Sequence, residues 1–196
     1  MTRKIISAID IRADKIICLI AQELQIHDKG NMLQLIGIGT SKLPIECLKP
    51  LSIEKEIIRD HIGEAINEAE NEAGIKIDNI YVSISENMNS VYIDYDQKIE
   101  DRIVNESDIK NFFETSKFKY LYNETNEPLH SFPISFKIDH KKSISDPIGL
   151  RAKILQTRWH TITTSKNYLD KILDLFNELE INLKQIVSSH YTSSLA

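Results

Sequence analysis

The chain has 196 residues, a formal net charge of −5, and 41% hydrophobic and 27% charged residues. That balance suits one globular domain or two small ones, and its acidic sign argues against a general nucleic-acid binder. Two cysteines, Cys18 and Cys47, are too few for a disulfide scaffold; Cys18, inside an apolar run, reads as a buried thiol suited to a reducing cytoplasm. No stretch reads as a signal peptide or a bilayer span, and no basic amphipathic helix closes the sequence, so no membrane anchor of its own is expected.

Ile5 to Ile11 predicts a short buried strand, and Arg12-Ala13-Asp14 a turn. Lys15 to Ile26 predicts a second strand. Asp28-Lys29-Gly30-Asn31 is a hairpin turn, because Gly and Asn tolerate positive φ. Met32 to Thr40 predicts a third strand, so three antiparallel strands open the chain. Pro44 to Pro50 reads as loop. Ser52 is a candidate cap for a helix from Lys55 to about Ala73, whose stripe Ile58, Ile62, Ala65, Ile66, Ala69 and Ala73 has helical spacing. Gly74 sits where a left-handed cap belongs. A strand centred on Ile80 to Ile84 follows.

The middle of the chain changes character. Val91, Ile93 and Tyr95 alternate with polar residues, as in a half-exposed strand. Asn105 can cap a helix from Glu106 to about Lys117, anchored by Phe112 and Phe113. Phe118 to Glu127 reads as loop. Phe132, Ile134, Phe136 and Ile138 alternate in a strand opened by Leu129-His130 and Pro133. A polar turn leads to Asp146-Pro147-Ile148-Gly149-Leu150, and a strand returns over about Arg151 to Gln156. Trp159 to Thr164 predicts a further, separate strand. Ser165 caps a helix from Lys166 to about Glu180, burying Leu169, Ile172, Leu173, Phe176 and Leu179; a last strand runs from Leu183 to Ser188. The tail from Ser189 onward reads as irregular.

Removing 86–157 leaves three antiparallel strands, helix, strand, strand, helix, strand. That is a mixed sheet with packed helices, an α/β half-domain of 1–85 and 158–196, interrupted by a small β-α-β-β piece at 86–157. No phosphate-binding G-x-x-x-x-G-K-S/T or G-x-G-x-x-G occurs. His27, His61, His130, His140, His160 and His190 are scattered without ligand spacing, so no metal site and no catalytic residue are expected. Lys137, His140, Lys141 and Lys142 cluster at a hairpin tip, and read either as a solubilising turn or as a contact for an acidic partner. Tyr81, Tyr92, Tyr95, Tyr120 and Tyr122 gather in and near the insertion, where aromatics serve interfaces or a small core equally well.

The sequence resembles the N-terminal half of FtsA, the bacterial actin-like cell-division family. The matching residues are Asp10-Ile11 and Lys15, Leu35 to Gly39, Ala65 to Glu70, Val82 to Ser85, and Leu129-His130 with Pro133 followed by Asp146 to Leu150. The resemblance implies an actin-like half-domain with the FtsA-type insertion. It also implies work at the division site on the inner face of the membrane, self-association, contacts with division proteins such as FtsN, and ATP with magnesium in intact members. The FtsZ-binding subdomain is not expected within these residues. Where the family has acidic-x-Gly-Thr/Ser-x-Lys for phosphate, this chain has Asp10-Ile11-Arg12-Ala13-Asp14-Lys15, so a degenerate nucleotide half-site at Asp10, Arg12, Ala13 and Lys15 is expected, with no cofactor for this chain and no enzyme activity. The second phosphate loop and the adenosine pocket are expected beyond residue 196. At Ser85-Glu86-Asn87-Met88 the family usually has Gly after the Ser, so Glu86 predicts altered backbone there. The alternatives are a fragment of an actin-like ATPase and a scaffold resembling the pilus-assembly protein PilM.

Overall fold

A computed structural model describes residues 4–26, 30–44, 55–110 and 125–195. The expectations for Cys47, Ser52, His27, Phe112, Phe113, Tyr120, Tyr122, the loop over 45–50 and the helix beyond 110 lie outside the described residues. The chain divides into two compact units, Met1–Glu86 with Tyr168–Ala196, and Asn87–Asn167.

The first unit is built on a five-stranded sheet ordered β3-β2-β1-β4-β8. Strands β1 (Lys4–Ile11), β2 (Lys15–Ile26) and β3 (Gly30–Lys42) form an antiparallel meander. Helix α1 (Lys55–Ala73) then crosses to β4 (Asn79–Ile84), which runs parallel to β1. Helix α3 (Lys166–Glu178) leads to β8 (Asn182–Ser188), parallel to β4. Side chains alternate in β1, β2 and β4, so Ile9, Ile11, Ile16, Cys18, Ile20, Ile80, Val82 and Ile84 line one buried face. Helix α1 meets it with Ile58, Ile62, Ala65, Ile66 and Ala69. Burying an Ile of this kind contributes about 1.5–3 kcal/mol.

Glycine is required where α1 crosses β3. A Cβ on Gly37 would lie 2.3 Å from the Ala69 carbonyl oxygen, and one on Gly39 would lie 1.9 Å from that of Ala65. Small residues on both sides let helix and strand backbones touch. Gly74, with φ of 68°, ends α1 in the left-handed conformation. Glu70, a polar residue within the apolar stripe, is also buried. Its carboxylate accepts from the Ile77 N–H at 2.9 Å and pairs with Lys76, which fastens the chain leaving α1.

The second unit is a three-stranded antiparallel sheet ordered β5-β7-β6. It comprises β5 (Met88–Ile103), α2 (Glu106–Lys110), β6 (Asn126–Ile138) and β7 (Arg151–Ser165). The two separate strands expected over 151–156 and 159–164 are one strand. Gln156-Thr157-Arg158 brings no turn residue, and these residues pair in register with Asp96, Tyr95 and Asp94. Trp159 to Thr164 therefore belongs to the inserted sheet. Entry to this unit uses Asn87, with φ of 54°, rather than Glu86, so the left-handed residue is an Asn, which tolerates it well.

Two other expectations differ. In α3 the buried residues are Tyr168, Leu169, Ile172, Leu175 and Phe176, while Leu173 is exposed. Tyr168 and Leu175 stand seven positions apart and share a face, which rotates the stripe away from Leu173. The tail is not irregular: Ser189–Ser194 forms a short helix, α4, with the Ser188 hydroxyl accepting from the Tyr191 N–H.

Candidate functional site

The hairpin between β1 and β2 is closed by the Arg12 N–H, which donates to the Lys15 carbonyl at 3.0 Å. The Leu43 N–H donates to the Asp14 carbonyl at 2.9 Å and ties the turn to the end of β3. Arg12 folds back, and its Nε donates to Asp10 Oδ2 at 2.8 Å. Asp10 Oδ1 is buried without a hydrogen-bond partner among the described residues. Lys15 is half-buried, while Arg12, Ala13 and Asp14 are exposed. None of residues 10–15 has positive φ, so the turn needs no glycine.

The orphaned Asp10 oxygen is the one feature here that invites a cation. The other residues do not fit magnesium with a nucleotide phosphate. Asp10's second oxygen is already held by a guanidinium. Ala13 offers no hydroxyl, and Asp14 adds negative charge where a phosphate would approach. The structure brings Asp10 and Arg12 together, and keeps Lys15 on the opposing strand start.

In the inserted unit, successive residues of β7 divide between two faces. Leu155, Thr157, Trp159, Thr161 and Thr163 are buried on one. Ile99, Val104, Phe136, Ala152 and Leu155 form a small core with Ile109, Ile138 and Ile144. Trp159 is covered by Ile93, Tyr95 and Ile109. Tyr95 is thus part of the packing on the inner face.

Tyr92 lies on the outer face and is 58% exposed. It stacks on His160, with ring centroids 4.9 Å apart and planes at 17°. Phe132 meets the other side of the same imidazole edge-on, at 5.0 Å and 79°. The Arg158 guanidinium stands 5.5 Å from the centroid of the Tyr92 ring. Ser90 Oγ lies 2.6 Å from His160 Nε2. One aromatic row, Tyr92–His160–Phe132, thus crosses all three strands in register. Sequence reasoning singled out Tyr92 and missed His160 and Phe132 as its neighbours. The alternation of Trp159 and His160 was a usable signal, but only strand register joins the three residues.

The basic tip follows β6. Asp139 and His140 both have positive φ, 49° and 60°, and the Lys141 N–H donates to the Ile138 carbonyl at 2.9 Å, the geometry of a tight hairpin turn. The Asp139 carboxylate accepts from the Ile154 and Lys153 N–H groups at 2.9 Å each, which holds its pKa below the ordinary carboxylate value. His140, Lys141 and Lys142 are exposed. Lys137 is exposed beside Gln156, four positions along β7 from His160, or about 13 Å at strand rise.

The Asp146 to Leu150 stretch latches the end of β5. Asp146 Oδ1 accepts from the Ile148 N–H at 2.9 Å, and Gly149 has φ of 82°. The Gly149 N–H donates to the Val104 carbonyl at 3.0 Å, and the Val104 N–H to the Leu150 carbonyl at 2.9 Å.

Among the described residues no helix is long and apolar enough to cross a membrane. No group of three or more His, Cys, Asp or Glu among them could hold a metal ion.

Residues 85–163 match the family model described as the SHS2 domain inserted in FtsA. The cell division protein FtsA of Buchnera aphidicola subsp. Schizaphis graminum is 29% identical, over 99% of this chain and 45% of its own length. FtsA of Escherichia coli K12 is 23% identical, over 98% of this chain and 44% of its own length. The chain thus spans less than half the length of these curated relatives. Among solved structures, one titled as a PilM-PilN type IV pilus biogenesis complex aligns with a TM-score of 0.52 at 10% identity, covering 95% of this chain and 48% of that one. That likeness speaks to the fold, a mixed α/β actin-like half-domain. Relatives along nearly the whole chain and the matched insertion agree: the chain is similar to the N-terminal half of FtsA, and its residues 85–163 match the SHS2 domain inserted in that protein.

Proposed function

We propose that this chain acts in divisome assembly through protein–protein contacts of its inserted domain, and not through nucleotide turnover. The observation that carries the proposal is the row Tyr92–His160–Phe132 on the outer face of the SHS2 sheet, in which Tyr92 is exposed and His160 and Phe132 are half-buried. A half-exposed aromatic with a guanidinium beside it is the composition of an interface anchor. The exposed cations Lys137, Lys141 and Lys142, with His140 beside them on the turn, would favour an acidic segment of the partner. By family resemblance the partners are a second copy and cytoplasmic segments of division proteins such as FtsN, at the division site on the inner face of the membrane.

The test is sedimentation velocity of the chain alone and fluorescence anisotropy with a labelled FtsN cytoplasmic peptide. Tyr92→Ala should weaken whichever association is seen by roughly tenfold or more, since interface aromatics often cost about 2 kcal/mol on truncation. A chain that neither self-associates nor binds the peptide overturns the proposal.

The competing reading, half of an actin-like ATPase, is disfavoured by the hairpin. Titration with a fluorescent ATP analogue and magnesium should show no binding up to millimolar nucleotide. Micromolar binding would revive the ATPase reading. A PilM-like scaffold shares the fold, but the relatives along the sequence are FtsA proteins.

A further inference from the structure

Among the described residues, strand β3 is an edge of the five-stranded sheet. An edge strand presents unpaired N–H and C=O groups, and a long apolar one is a template for another chain. Here β3 has 13 residues and a single charge, Lys42. Met32, Leu33 and Leu35 are 50–57% exposed. Nothing in its charge would oppose pairing with β3 of a second copy, and a two-fold arrangement would join the same strand to itself.

The C-terminal part of this edge is not open. The Ile38 N–H donates to Glu72 Oε2 at 2.8 Å, and the Thr40 N–H to Glu68 Oε2 at 2.6 Å. Both amides alternate with the residues that face β2, so both point away from the sheet. One turn earlier on α1, Glu64 Oε2 accepts from Ser41 Oγ at 2.7 Å, and His61 Nδ1 lies 2.7 Å from the same hydroxyl. Glu64, Glu68 and Glu72 are spaced by four, one stripe of the helix. They reach the strand because Gly37 and Gly39 let α1 settle against the β3 backbone. Glu68 and Glu72 thus occupy two backbone donors that an incoming strand would need, while Glu64 holds the Ser41 side chain.

We infer that Glu68 and Glu72 lock the β3 edge against strand pairing with a second copy of this chain. The inference concerns the half-domain and stands independently of the contacts proposed for the inserted sheet.

The test uses Glu68→Ala and Glu72→Ala, singly and together, in the full chain. Amide exchange followed by NMR should accelerate at Thr40 in E68A and at Ile38 in E72A, by about tenfold or more. The double variant should associate at least tenfold more tightly than the parent in sedimentation equilibrium. E68Q/E72Q keeps an acceptor oxygen at each position and should behave as the parent. Adding Leu35→Lys to the double alanine variant should reverse the association by placing a charge on the paired edge. A folded double variant with unchanged association overturns the inference, as does association that L35K leaves intact. Should the double variant not fold, the single variants decide: unchanged exchange at the named amides overturns it equally.

Discussion

Two glycines on the first unit show how local space sets the sign of a substitution. Gly39→Ala would drive a methyl into the Ala65 carbonyl, so α1 and β3 must separate. We expect a loss of about 1–3 kcal/mol, the range for overpacking, read as a lower urea midpoint. Gly63 lies inside α1, and among the described residues a Cβ there would meet only Leu179 Cδ2, at 3.7 Å. Gly63→Ala should stabilise by about 0.5–1 kcal/mol, since a mid-helix glycine costs backbone entropy. At Asn105 the logic is hydrogen bonding. Its Oδ1 accepts from the Asp108 N–H at 3.2 Å while Asp108 Oδ2 accepts from the Asn105 N–H at 2.9 Å, a reciprocal cap on α2. Asn105→Ala should cost about 0.5–2 kcal/mol. Trp159 is the one tryptophan and packs against Ile109 on that helix, so its fluorescence on unfolding reports the loss.

At the scale of elements, hydrophobic period carried most of the sequence reading. The apolar stripe of α1, the three opening strands and the strand at Ile80 to Ile84 were legible because each buries one face. The end of the inserted unit at Asn167, ten residues past the boundary expected after 157, was not legible. Thr157 and Arg158 look like a break between apolar runs, whereas in β7 one is buried and the other lies on the outer face as ordinary alternation. The carboxylate row of α1 went unread in the sequence, since only the fold shows that β3 is an edge and that Glu68 and Glu72 bond it. The aromatic row failed for the same reason, as Tyr92, His160 and Phe132 come from three strands. The inserted sheet also has a pH dependence with a definite sign. Burial lowers the pKa of His130 below its ordinary 6.5, so the unfolded chain binds that proton more readily. Stability is therefore full above about pH 6.5 and falls as pH drops through the folded value. Asp108, held down first by the Arg102 hydrogen bond, and Asp139, held down by backbone N–H groups, are lowered from 3.8. Their contribution is present above 3.8 and is lost as pH falls through their folded values. Urea midpoints by Trp159 fluorescence should decline in these two windows, and His130→Gln should flatten the upper one alone.

At the scale of the whole molecule, two compact units mean two cores. Far-UV circular dichroism averages over both, whereas Trp159 fluorescence follows the inserted unit. We expect the two probes to give non-coincident denaturation curves, the signature of departure from a single all-or-none transition. Superimposable curves would show that the units unfold as one. A partner for the tryptophan probe is already present in the other unit. Cys18 is buried in the meander between Ile9 and Gly39, and burial pushes its thiol up to about 12. At neutral pH that sulfur is a closed clock: an alkylating reagent can read it only when the sheet opens. With Cys47 replaced by serine, the alkylation rate at Cys18 would time the opening of the half-domain under conditions where the chain is otherwise folded.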